Sequence, residues 1–192
     1  MKNLIFISFL FFNSCSTFLN EFEKTIGSNV TLEQLLSIPQ ENYPLKGWHP
    51  DYDLAIELAA KQFSIDVPCH NPKLFFKSLA FPESAYDRRS TYREPQPLGY
   101  DSLGLLQLSL EDEKVYKCGF KTREDVYHPI RNLYCGVKIL NMLQTKHAGK
   151  SIYWQGGQYW SVLRNPENWP KRKNFDGLKA FKDNMRKGGC NL

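Results

Sequence analysis

From Asn71 to Asp87 the chain reads NPKLFFKSLAFPESAYD. Asn71 is a residue type that caps helix N-termini, and Pro72 then fills the first turn, where its missing N–H costs nothing. Leu74, Phe75, Ser78 and Leu79 recur at the spacing of one helical face, so a helix burying that side is expected. Pro82 should bend or end it beside Glu83. Glu83 then stands at the end of a mostly buried helix. Desolvation there raises a carboxyl's pKa and lets it hold a proton near neutral pH. A proton held at that pH is what a general acid needs to protonate a departing oxygen. Helix-end glutamates are ordinarily solvated, however, and position alone does not set Glu83 apart from them.

Outward from this segment the pattern is helical. Thr31 can cap a short helix to Leu36, and a longer one starts near Asp51 or Asp53 and runs to about Phe63, with Leu54, Ala55, Leu58 and Ala59 on one face. Residues 87–101 are rich in Arg, Pro, Tyr and Gly and read as a long irregular loop, a feature often functional in compact domains. Ser102 to Val115 reads as helix, with Leu103, Leu106 and Leu110 on its apolar side. The longest helix is expected from Pro129 to Lys146, capped by His128 or Asp125, and a last one near Tyr159 to Leu163 after the Gly156-Gly157 break. No alternating strands and no repeats stand out. The expected fold is mainly α, a helical domain wrapped around one substrate cleft.

Bulk properties agree. The 192 residues leave room for one compact domain, and 42% hydrophobic, 14% aromatic and 23% charged residues make a globular composition. The net charge of +5 suits approach to an anionic polymer without naming one. The one dense basic run, Lys171-Arg172-Lys173, has no accompanying motif, so nucleic acid is not an expected partner. His49, His70, His128 and His147 are scattered, and neither a metal nor a cofactor is implied. Lys2, the apolar run Leu4–Phe12 and Asn13-Ser14-Cys15 read as a secretory signal over residues 1–14, too short to span a membrane. Residues 15–48 follow as tether and lead-in, and 49–192 as the main domain. Cys15 stands where a lipoprotein would carry its acylated cysteine, so either lipidation or simple cleavage nearby is open. Any membrane contact would run through that anchor. An exported chain meets an oxidising compartment, where Cys69, Cys118, Cys135 and Cys190 permit three disulfide pairings. Cys118 with Cys135 and Cys69 with Cys190 is preferred because the first pair brackets one short connection. Four buried thiols are the alternative.

Phe76–Asp87 resembles the catalytic helix of lytic transglycosylases and goose-type lysozymes, in which the acid Glu is followed by Ser and then an aromatic, as Tyr86 nearly reproduces. Ser102-Leu103-Gly104-Leu105-Leu106-Gln107-Leu108 is similar to that family's Gly-Leu-Met-Gln segment. Pro129–Leu140 is similar to its third helix, with Asn132 and then Gly136 four residues later. The blocks stand in the family's order across about residues 72–163. The fourth block departs: Ser151–Gly157 keeps Tyr153 and a Gly, but Trp154 replaces the usual Asn.

The resemblance implies a lysozyme-like helical fold and cleavage of the β-1,4 bond between MurNAc and GlcNAc in peptidoglycan glycan strands. Glu83 would act first as acid and then as base, and Tyr153 would orient it or the substrate's acetamido group, with Tyr159 as rival. Ser84, Tyr86, Gly104, Gln107 and Trp154 would contact substrate. In lytic transglycosylases the substrate's C6 hydroxyl attacks and leaves a 1,6-anhydro end; Asp87 or Asp101 as a second carboxylate would instead guide a water to hydrolysis. The balance favours transglycosylation. A non-catalytic wall-binding protein on the same scaffold is the alternative, motivated by Trp154. A secreted inhibitor or structural lipoprotein ranks last, since it gives Glu83 no role. The protein is expected to be exported and monomeric.

Overall fold

A computed structural model describes residues 30–171 and 175–192. The signal at 1–14, Cys15, most of the tether and Arg172-Lys173 lie outside the described residues. In order, the elements are α1 (Leu32–Ser37), α2 (Pro50–Phe63), α3 (Pro72–Ser84), β1 (Thr91–Arg93), β2 (Asp101–Leu103), α4 (Asp112–Tyr116), α5 (Arg123–Tyr127), α6 (Pro129–Lys146), α7 (Ile152–Gly157) and α8 (Asp176–Lys187). The fold is a lysozyme-like bundle of helices, as the sequence implied. The helix α2 lies along α6, and α3 lies against α8. Tyr52, Phe75, Leu79, Leu106, Ile130 and Phe181, all fully buried, belong to the one core these helices enclose.

Helix starts follow the capping expectations. Thr31 and Gln34 form a reciprocal capping box, and the Asn71 side chain accepts from the Leu74 N–H at 3.0 Å ahead of Pro72. Both predicted disulfides form: Cys69–Cys190 fastens the end of the chain to the start of α3, and Cys118–Cys135 ties the segment after α4 to α6. They are compatible with an exported protein. Among the described residues no helix is long and apolar enough to cross a membrane.

Four expectations are corrected. Residues 102–115 are not one helix: Gly104 and Gln107 take left-handed φ of 76° and 51°, which breaks the helix into β2, a tight turn and the short α4. The loop at 87–101 carries β1, antiparallel to β2 with Tyr92 opposite Ser102, a ribbon too short for alternation to show. Gly156 and Gly157 do not break the chain but lie inside α7, because a Cβ at either would meet Leu163 Cδ1 at 2.4 Å or Trp169 Cη2 at 2.5 Å. Past them only a 3-10 turn forms, over Ser161–Leu163. His128 does stand at the N-cap of α6, but its side chain makes no cap bond; its Nε2 pairs with the Ile38 carbonyl at 2.8 Å, and burial pushes its pKa down. The sequence reading also passed over α8, whose Leu178, Phe181 and Met185 are buried at helical spacing.

Candidate active site

Glu83 occupies the last turn of α3, half-buried, with its Oε1 closed off from solvent. The helix runs through Pro82 and stops at Ser84. Ala85 and Tyr86 both take left-handed φ, 51° and 62°, so the chain turns away directly after the acid. Tyr86 sits between Trp48 and Phe81, with ring centroids 5.5 and 5.4 Å away, and burial pushes its phenol pKa up.

The second and third blocks come to this helix end. Ser84 is buried, and its hydroxyl is shared between the Ala80 carbonyl at 3.0 Å and the Leu105 carbonyl at 2.9 Å. Asn132 on α6 is fully buried. Its Nδ2 donates to Leu103 O at 3.1 Å and Val126 O at 2.9 Å, and its Oδ1 accepts from Leu106 N–H at 2.9 Å. Trp160 Nε1 donates to Leu106 O at 3.1 Å. A Cβ on Gly104 would stand 2.7 Å from Asn132 Nδ2, and one on Gly136 would stand 2.2 Å from Leu106 Cδ1. These glycines therefore serve close packing of the turn on α6. Gln107, expected to aim its amide at substrate, donates it to Gly104 O at 2.9 Å and Ser90 O at 3.4 Å. The polar groups of Ser84 and Gln107 are thus each hydrogen-bonded within the protein.

The carboxylates nearby differ in what holds them. Asp87 accepts from the Arg89 N–H at 2.9 Å and pairs with Lys46 at 3.5 Å, a turn-forming arrangement. Asp101 is clamped by Arg123 and Arg93, and these two guanidiniums hold its carboxyl below the usual range. Glu94, which the sequence reading did not single out, lies just past β1 and is half-buried. Its Oε1 accepts from the buried Ser102 hydroxyl at 2.6 Å, and no Lys or Arg among the described residues pairs with it. Asp112, also not singled out, is buried; burial raises its pKa against the opposing pull of Tyr159 and the Ser109 N–H. Tyr159, the rival to Tyr153, gives its hydroxyl to this Asp112. The spacing Ser109-x-x-Asp112, a helix-start signature, was the available signal for Asp112; Glu94, inside a polar loop, offered none.

The fourth block lies against α8. Lys182 Nζ stands 4.9 Å over the Tyr153 ring, and the Tyr153 hydroxyl is buried without a hydrogen bond to any described residue. Trp154 stacks on Trp169, with centroids 5.3 Å apart and planes 27° apart. A cavity of about 760 Å³ lined by Asp66, Cys69, His70, Gln144 and Lys150 opens at the other end of α3. The helix's 13 residues separate it from Glu83 by about 20 Å, so it is not part of this site. Among the described residues no cluster of His, Cys, Asp and Glu could hold a metal ion.

No protein-family model and no curated protein sequence matches the chain. Solved structures of the Bdellovibrio protein DslA do match in fold: the wild-type form at 22% identity and TM-score 0.56, over 73% of this chain and 91% of that one. Two DslA variants, each with one glutamate changed to glutamine, match at 21% identity with TM-scores of 0.55 and 0.56. The two altered glutamates lie eleven positions apart in DslA. At this identity the likeness is a distant one of fold.

Proposed function

We propose that the protein cleaves the β-1,4 bond between MurNAc and GlcNAc in peptidoglycan outside the cytoplasm, with Glu83 as the proton donor. The observation that carries this reading is the way Glu83 is held. It is a half-buried carboxyl ending a helix, and Ser84 and Asn132 fix that helix end to the Gly104 turn. One of the Glu83 oxygens is shut from water, which suits a carboxyl that hands a proton to a substrate and not to solvent. The proton passes to the glycosidic oxygen as the bond to the anomeric carbon breaks, and the carboxylate left behind faces the developing cation.

The nucleophile decides the product. Attack by the sugar's own C6 hydroxyl, with Glu83 taking back a proton, leaves a 1,6-anhydro end. Attack by water leaves a reducing end and requires a base. Glu94 favours the second outcome. It carries no cationic partner that would pin it, and it follows Glu83 by eleven positions, the interval between the two glutamates altered in DslA. Asp87 and Asp101 are weaker candidates, because Lys46 and the two arginines already occupy them. This reading reverses the preference that the resemblance alone suggested.

The test is mass spectrometry of soluble products from purified peptidoglycan, using the wild-type protein with Glu83→Gln and Glu94→Gln as controls. Reducing ends that both variants lose support hydrolysis by the pair. Anhydro ends lost only in Glu83→Gln would move the chemistry to transglycosylation. No fragments from acetylated or deacetylated walls would leave a wall-binding protein.

A further inference from the structure

Arg88 follows the turn behind Glu83 and is only 5% exposed. A guanidinium keeps its charge at any ordinary pH, so burial cannot be relieved by losing the proton. Its Nε and Nη1 are nonetheless buried with no acceptor among the described residues. The carboxylates whose fields it feels, Glu124 and Asp87, are engaged elsewhere: Glu124 by Arg89 and Gln40, Asp87 by Lys46. Arg89 adds a like charge, and burial lowers the Arg88 pKa further than these fields restore it. Beside it Tyr52 is fully buried, and its hydroxyl also has no hydrogen-bond partner among the described residues. Tyr43 closes the neighbourhood, its ring 5.6 Å from Tyr52 and 5.9 Å from the buried His128.

A buried charge without a counter-charge is strongly destabilising, and donors without acceptors add to the cost. Two buried guanidinium N–H groups, beside a buried phenol O–H that feels the same charge, suit an anion. We propose that Arg88 and Tyr52 form a buried site for a small monovalent anion of the halide class, held by the Arg88 Nε–H and Nη1–H and the Tyr52 hydroxyl. The Arg88 backbone N–H donates to the Leu45 carbonyl at 3.0 Å, which ties the turn after Glu83 to the lead-in, and the ion would join that turn to Tyr52 of α2 as well. The site is independent of the glycosidase reading, and its test involves no wall substrate.

Thermal melts of the protein in sodium chloride, bromide and gluconate at matched ionic strength test the proposal. Chloride and bromide should raise the midpoint saturably over gluconate by about 2–4 °C or more. Arg88→Met should abolish the difference, and Tyr52→Phe should raise the half-saturating concentration several-fold. Should Arg88→Met not fold, Tyr52→Phe alone carries the comparison. Crystals soaked in bromide should give an anomalous peak beside Arg88. Equal midpoints in chloride and gluconate, or a bromide map empty at Arg88, would overturn the assignment.

Discussion

The Ser84 hydroxyl reaches the Leu105 carbonyl at 2.9 Å, joining the residue next to Glu83 to a turn 21 positions later. Ser84→Ala leaves that carbonyl buried without a donor. The expected loss is about 1–3 kcal/mol of stability by urea denaturation. Wall-cleaving activity should fall more than binding, since the helix end is what loses its fixed position. An unchanged unfolding midpoint would show that the bond contributes nothing.

Gly104→Ala should cost more. The added methyl meets Asn132 Nδ2 at 2.7 Å and Val126 O at 3.1 Å, in a backbone with φ of 76° that L side chains rarely adopt. Strain and disturbed hydrogen bonds together should remove about 2–4 kcal/mol, read as a fall in melting temperature. Asn132→Ala, which strips three backbone partners at once, should be at least as damaging.

Glu94 and Asp101 should separate cleanly in activity. Glu94→Gln is expected to slow release of reducing ends by about 100-fold or more, the range general-base removal typically gives. Asp101→Asn should change the rate by no more than about threefold, because solvent-exposed ion pairs contribute little. Equal losses from both would make the ribbon's integrity, and not a second carboxylate, the cause.

Asp112 should leave a signature in stability against pH. Burial raises its folded pKa above the ordinary 3.8, so the folded state holds the proton more tightly than the unfolded chain. That contribution is fully present below 3.8 and is lost as pH rises through the folded value. Relative to wild type, Asp112→Asn should therefore gain stability as pH climbs from about 3.8 upward, and melts across that window would show it. A difference independent of pH would mean that Asp112 titrates normally.

Much of the frame was legible in the chain. Asn71 and Pro72 announced α3, Thr31 announced α1, and the apolar stripe of Pro129–Lys146 announced α6, because caps and helical periodicity are local signals. The disulfide pairing followed from one short connection. What failed was contextual. Gly156 and Gly157 look like a break until Leu163 and Trp169 press on them. Leu103, Leu106 and Leu110 mimic a helical face although Asn132 holds the backbone at Leu103 and Leu106 in a turn. Trp154 reads as a lost Asn, yet it gains Trp169 as a stacking partner. Glu94 was passed over because its distinction is that no Lys or Arg among the described residues pairs with it, which only the folded arrangement reveals.

Asn132 has one more consequence. It gives residues 104–108 a fixed geometry without helix or strand: Leu106 N–H goes to its side chain, while Leu108 N–H and the Leu103 N–H at the end of β2 go to each other's carbonyls, at 3.0 and 2.6 Å. Irregular segments usually trade their amide protons with solvent quickly. This one should trade them as slowly as α6, while the exposed Gln96 N–H between the two strands exchanges freely. The stiffest backbone around the acid would then be a piece of chain that belongs to no regular element, clamped from below by a single amide.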